Sequence, residues 1–234
     1  MRTAYKVRRP VYYEFIMSYM YLAMHYDITT VAYVYVDTAH RWTVVANRFD
    51  GSEDFLRDWE SYKHGFGDAS GEYWLGNEYL HYLTNTRSYK LRFDLQDWDG
   101  ETRHAEYSSF AVTSEADKYR LALGYYSGNA SSNQKQDNTG GFRYHNNMQF
   151  TTYDNDNDKL LHDNCITSQA NGQGYFGGFW YKSCTKVTPT NHYCPSSSCG
   201  IFRKHIRWMA WHGNDYSLKT VKMMMRPTNT TDIN

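Results

Sequence analysis

The densest group of possible metal ligands is Asp154, Asp156 and Asp158, with Asp163 close behind. Calcium takes roughly six to eight hard oxygen ligands, and carboxylates at alternate positions of a turning loop can converge on one ion. An EF-hand is excluded, because its sixth position would be Lys159, where glycine is needed, and its twelfth would be Cys165 rather than Glu. A solvated, Asx-rich turn is the other reading of the same residues. Cys165, Cys184, Cys194 and Cys199 all fall in the last third of the chain. An even number of cysteines in a Gly/Asn/Ser-rich stretch points to two disulfides, in one of three pairings, and to an oxidising, extracellular compartment. The rival is a zinc site recruiting His192 or His205, but the spacings do not repeat a zinc-ribbon pattern. Catalytic signatures are missing: no HExxH and no GxSxG occurs. Gly172–Gly177 spells GxGxxG inside the cysteine-bounded stretch, with no strand before it or helix after it, so it is not a nucleotide fingerprint. The chain is expected to bind, not to catalyse.

Lys+Arg and Asp+Glu are both 25, a formal net charge of zero, which argues against a nucleic-acid partner. Aromatics are abundant, with 23 Tyr, 11 Phe and 7 Trp, and tyrosine suits wet cores and adhesive surfaces because it joins an apolar ring to a hydroxyl. Asn129 and Asn229 head Asn-x-Ser/Thr triplets, in keeping with secretion. Residues 11–24 follow a basic start and are mostly apolar, but Glu14 interrupts them and no small-residue cleavage site is clear. They are also too short and too polar for a membrane span.

The elements that must position these residues are legible in part. Residues 31–36 and 42–46 read as short buried strands. Ser52 is expected to cap a helix whose apolar face is Phe55, Trp59 and Tyr62 and which Gly65 ends, and Asn77 a second helix carrying Leu80 and Leu83. Tyr89, Leu91, Phe93 and Leu95 alternate with polar residues, and Asp99-Gly100 turns the chain into a second strand around residues 105–110. Tyr119, Leu121 and Leu123 make a third alternating run, and residues 216–225 return as a strand. Between them, residues 127–205 show little periodicity, and so long an irregular stretch is usually functional and held by disulfides or metals. The class is α+β.

Several motifs, in order, resemble the fibrinogen C-terminal domain family: Trp42-Thr43-Val44-Val45, Asp50-Gly51-Ser52, Asp58-Trp59, Gly71 to Asn77, Asp154 to Asp158, Asn164-Cys165, Gly177 to Tyr181 and Trp208 to Lys219. The resemblance runs over about residues 42–227. It implies a central twisted antiparallel sheet with short flanking helices, followed by a loop-rich binding subdomain over about residues 127–215. Residues 31–228 then form the domain, 1–30 a divergent N-terminal segment and 229–234 a tail. The start departs from the family, since Tyr35-Val36-Asp37 lacks the cysteine usual there.

The resemblance further implies a calcium cofactor held by the side chains of Asp156 and Asp158 and the backbone carbonyls of Leu160 and His162. It implies a Cys165–Cys184 disulfide, and a ligand pocket at Tyr175, Ser183, Cys184, Thr185, Phe202 and Arg203, with an unusual cis peptide at Ser183-Cys184. Cys194 and Cys199 are extra to most of the family and are read as a local disulfide. In lectin members the pocket takes acetyl groups, so the first expectation is an extracellular, secreted, calcium-dependent lectin of innate recognition, whose partners are glycans or glycoproteins. Thr185 replaces a histidine of many lectins, Phe202 a tyrosine and Asn214 an aromatic. These changes motivate the alternative, an adhesion or signalling domain binding a cell-surface protein receptor, as in tenascin- or angiopoietin-like proteins.

Overall fold

The computed structural model describes residues 36–37, 42–131, 134–167, 177–200 and 205–228. Among these residues the strands are β1 (Val36–Asp37), β2 (Trp42–Arg48), β3 (Phe66–Gly67), β4 (Tyr73–Trp74), β5 (Tyr89–Gln96), β6 (Thr102–Val112), β7 (Leu121–Leu123), β8 (Tyr126–Gly128) and β9 (Thr220–Pro227). They form one sheet in the order β3-β4-β2-β9-β5-β6-β7, with β1 added to β2 and β8 to β6. All the pairings are antiparallel. The helices are α1 (Trp59–His64), α2 (Asn77–Thr86), α3 (Gln134–Gly140) and α4 (Met209–His212). This is the expected α+β fold.

β5 alternates strictly, burying Tyr89, Leu91, Phe93 and Leu95 while the residues between them are half-exposed. Side chains on a strand point to opposite faces in turn, so the alternation reports one dry and one wetter face. β9, the last strand in sequence, lies between β2 and β5, with Met223 opposite both Ala46 and Phe93. The start and the end of the domain are therefore locked together in mid-sheet.

Two helix starts differ from expectation. α1 begins at Trp59, not after Ser52: Asp58 caps it, its carboxylate accepting the Ser61 N–H at 2.9 Å. The Ser52 N–H instead donates to Asp50 in a tight turn, and Phe55 reaches the core from the segment before the helix. α2 is preceded by Gly76 at φ 112°, and Asn77 is its first residue, with a buried side chain that caps nothing. The positive φ is open to glycine without a side-chain penalty. Most of the strand expected over 31–36 lies outside the described residues.

The core is aromatic. Trp74 and Trp180 stand 6.0 Å apart between ring centroids, Tyr62 and Phe150 5.1 Å, and Phe142 and Phe179 5.6 Å. Buried tyrosines find acceptors: Tyr73 donates to the Val44 carbonyl, Tyr119 to Glu78 and Tyr181 to the Gly177 carbonyl. The chain passes so close at Gly178 that an added Cβ would meet the Tyr62 ring at 2.7 Å. The loop-rich segment is thus plated directly onto the rings of α1 and β4.

A buried ion pair fixes the turn after β2. Glu72 meets Arg48 at 3.2 Å and accepts the N–H groups of Phe49, Asp50 and Gly51, while Arg48 also donates to the carbonyls of Pro189 and Asn191. Burial pulls the Arg48 guanidinium below its ordinary pKa, and Glu72 opposes that pull.

Candidate functional site

The acidic run does not act as one cluster. Asp154 turns to α1, accepting the Trp59 N–H at 3.0 Å and the Thr152 hydroxyl at 2.7 Å. Asp163 caps its own turn through the Asn164 N–H. Asp156 and Asp158 remain together: Asp156 accepts the Asp158 N–H at 3.2 Å. Asp158 spreads its two oxygens over the Leu160 and Cys165 N–H groups, each at 2.7 Å. Burial pushes the Asp158 carboxyl up to about 6, the backbone donors pull it down, and the neighbouring Asp156 adds to the rise.

This pair fits a divalent cation. Asp158 is half-buried and Asp156 exposed beside it; two neighbouring carboxylates repel one another, and a cation between them would remove that repulsion. Among the described residues the Leu160 and His162 carbonyls accept no backbone hydrogen bond, which leaves them open to an ion. His162 has a left-handed φ of 65°. No group of three His, Cys, Asp or Glu side chains able to hold a metal occurs among the described residues, so a cation here would depend on backbone oxygens.

The cysteines are paired as Cys165–Cys184 and Cys194–Cys199, with Cα–Cα separations of 5.5 and 5.8 Å. All four are consumed, which removes the zinc reading. The Ser183–Cys184 peptide bond is cis. Lys159 N–H donates to the Lys182 carbonyl at 2.8 Å, so the acidic loop and the second half of the cysteine loop are joined by backbone as well as by sulfur.

Behind them sits His145, a residue to which no motif drew attention. It is fully buried, Nδ1 meeting the Trp180 carbonyl at 2.8 Å and Nε2 the Thr185 hydroxyl at 3.2 Å. Burial drives its pKa down to about 3, and the cations of Arg207, Lys182 and Lys186 push the same way. A neutral imidazole with both nitrogens engaged is a strut, not an acid or base. Thr185 is buried, its one hydroxyl proton going to the Val187 carbonyl and its own carbonyl accepting from Arg207, while His145 Nε2 accepts the Lys186 N–H at 3.3 Å. The side chain in the place of the lectin histidine therefore faces inward. Ser183 is exposed and Cys184 half-buried. Tyr175, Phe202 and Arg203 lie outside the described residues, as does Asn229; Asn129 is exposed beyond β8.

The sequence profile described as fibrinogen beta and gamma chains, C-terminal globular domain, matches residues 16–228. The chain belongs to this family. Angiopoietin-related protein 7 of Mus musculus is 43% identical over 189 residues, covering 80% of this chain and 51% of that protein. Angiopoietin-related protein 2 of Mus musculus is 38% identical over 223 residues, covering 92% of this chain and 41% of that protein. The chain thus spans about half the length, or less, of these curated relatives. In structure it resembles the fibrinogen-like globe domain of human ANGPTL2, with a TM-score of 0.74 and 35% identity over 89% of this chain and 98% of that one. It also resembles lamprey fibrin D-dimer complexed with the peptide ligand Gly-His-Arg-Pro-amide, with a TM-score of 0.70 and 32% identity over 84% of this chain and 64% of that one. Among the described residues no helix is long and apolar enough to cross a membrane.

Proposed function

We propose that this chain is the recognition domain of an extracellular protein ligand of the angiopoietin-related kind, and that it binds a protein partner rather than an acetylated glycan. The observation that carries this reading is the similarity to angiopoietin-related proteins at 38 to 43% identity. It favours the receptor-binding alternative over the lectin expectation. The inward-facing Thr185 agrees, since a lectin pocket needs a side chain or amide presented to the sugar at that position. Two disulfides suit an oxidising, extracellular setting. The recognition surface in this reading is the loop of residues 153–163 joined to residues 182–186. That a fibrin relative holds a short peptide supports peptide recognition by this fold.

We further propose that calcium rigidifies this surface, held by the Asp156 and Asp158 carboxylates and the Leu160 and His162 carbonyls. When bound, the ion supplies positive charge that cancels the repulsion of the pair. The residues around it supply the shape: Asp158 ties both ends of the turn, and the Cys165–Cys184 bridge fixes the far side.

Capture from a panel of cell-surface receptor ectodomains, repeated in excess N-acetylglucosamine, tests the reading. It expects at least one ectodomain retained regardless of the sugar. Retention only on acetylated glycans, and release by the free sugar, would restore the lectin reading.

A further inference from the structure

The wetter face of the sheet carries a groove of about 610 Å³, a size that takes small ligands. A cross-strand row lines it: Asn47 on β2 stands opposite Lys222 on β9, Lys222 opposite Asp94 on β5, and Asp94 opposite His104 on β6. All four are half-exposed. The row crosses three strand spacings, about 14 Å, enough for a short oligosaccharide. Phe49, 38% exposed, adds an apolar ring at the β2 end, and Asn129, exposed just after β8, stands at the β6 end. Cation and carboxylate alternate between them: Asp94 accepts from Arg92 at 2.7 Å and has Lys222 on its other side. Such mixed charge suits a neutral, hydroxyl-rich occupant better than an ionic one.

Asn129 heads the triplet Asn129-Ala130-Ser131. Its backbone N–H and that of Ala130 donate to the His104 carbonyl, each at 3.0 Å, and its side-chain oxygen accepts the His104 N–H at 2.8 Å. The amide is thus held by its oxygen, which an N-linked sugar leaves in place as an acceptor. Its nitrogen, the atom to which such a sugar bonds, makes no hydrogen bond among the described residues. Ser131 is buried, its N–H donating to the Tyr126 hydroxyl at 2.9 Å, so the triplet is open to a transferring enzyme only before this segment folds.

We propose that Asn129 carries an N-linked glycan whose first sugars, N-acetylglucosamine units, lie along this groove. In the transfer, Asn129 Nδ2 bonds to C1 of the first sugar of a polyprenyl-diphosphate-linked oligosaccharide. The C1–O bond to the diphosphate breaks, the polyprenyl diphosphate leaves, and the amide nitrogen gives up one proton. In the groove, sugar hydroxyls donate to Asp94 and accept from Lys222, and the Phe49 ring covers the apolar face of a sugar. A glycan seated there keeps protein partners off this face of the sheet. The inference rests on the extracellular reading above, since only a chain on the secretory route meets the donor.

Expression of the full chain behind a secretion signal in human cells, with peptide mapping by mass spectrometry, tests it. The Asn129 peptide is expected to carry an oligosaccharide that peptide N-glycosidase removes, leaving Asp, and that S131A lacks. N129D, which keeps an oxygen for the His104 N–H, is the second glycan-free chain should S131A disturb folding. Lysine acetylation of the native protein then reports on the groove. Lys222 is expected to react several-fold more slowly in the glycosylated chain than in the glycan-free one, while the exposed Lys159 reacts equally in both. An unmodified Asn129 overturns the proposal, and equal reactivity of Lys222 overturns the seating of the glycan in the groove. An unmodified Asn129 in a secreted chain with both disulfides formed sinks the glycan and leaves the extracellular reading standing. Free thiols in a chain that carries the glycan do the reverse.

Discussion

Asp158 carries two tasks, closing the turn through the Leu160 and Cys165 N–H groups and presenting charge beside Asp156. Asp158→Asn keeps an acceptor but removes a charged ligand, so calcium affinity measured by calorimetry is expected to fall by at least about tenfold. Unchanged affinity would place the ion elsewhere. Asp137 on α3 offers a test by pH. It is fully buried, accepts the Tyr107 hydroxyl at 2.9 Å, and burial pushes its carboxyl up to about 6. The folded protein thus holds this proton more tightly than the unfolded chain, whose carboxyl has its ordinary value of 3.8. The cost of the charge is absent below that value, grows as pH rises, and is complete above about 6. Relative to wild type, Asp137→Asn is expected to gain stability between acid and neutral pH, by up to about 3 kcal/mol. Parallel pH profiles in urea denaturation would show that Asp137 is not the titrating group.

At the scale of elements, the ion pair of β2 with the segment before β4 holds the Pro189 and Asn191 carbonyls, and Asp154 ties the acidic loop to α1. Glu72→Ala strands the buried Arg48 guanidinium and frees three N–H groups. It is expected to cost about 3 to 5 kcal/mol in chemical denaturation; a loss below about 1 kcal/mol would mean that water replaces the carboxylate. Asp154→Ala removes an acceptor from the first turn of α1 and is expected to cost about 1 kcal/mol, without altering calcium affinity. Reduced calcium binding in that variant would return Asp154 to the metal site.

β3, β4 and β8 are too short to show a period and carry no expectation in the sequence, whereas β5 was legible because a two-residue period registers in the side chains themselves. α3 was not. Its sequence Gln134–Gly140 is polar, its buried residues include Asp137, and no apolar stripe marks it. The helix starts were misplaced for a related reason: an Asp three residues before Ser61 and a glycine at positive φ cap as well as Ser52 or Asn77 would, and spacing alone does not choose between them. In the site, Asp156 and Asp158 were visible as a pair on one loop, but Asp154 carries the same signature and only the fold turns it away. His145 carries no local signature, because its partners Trp180 and Thr185 are some 40 positions along the chain.

For the domain as a whole, the antiparallel sheet and its aromatic core form the base, and the described loops of residues 150–167 and 177–200 are held on it by Phe150, Phe179 and Trp180. Binding should therefore be separable from folding. Cys165→Ser/Cys184→Ser removes the bridge between the acidic loop and the cis peptide while leaving every strand pairing in place. The most direct test of the account is the binding of the chain to cells stripped enzymatically of N- and O-linked glycans, in excess free N-acetylglucosamine. Persistent binding that the Cys165→Ser/Cys184→Ser chain loses is the predicted result. Binding that disappears with the glycans would contradict a protein-recognising surface.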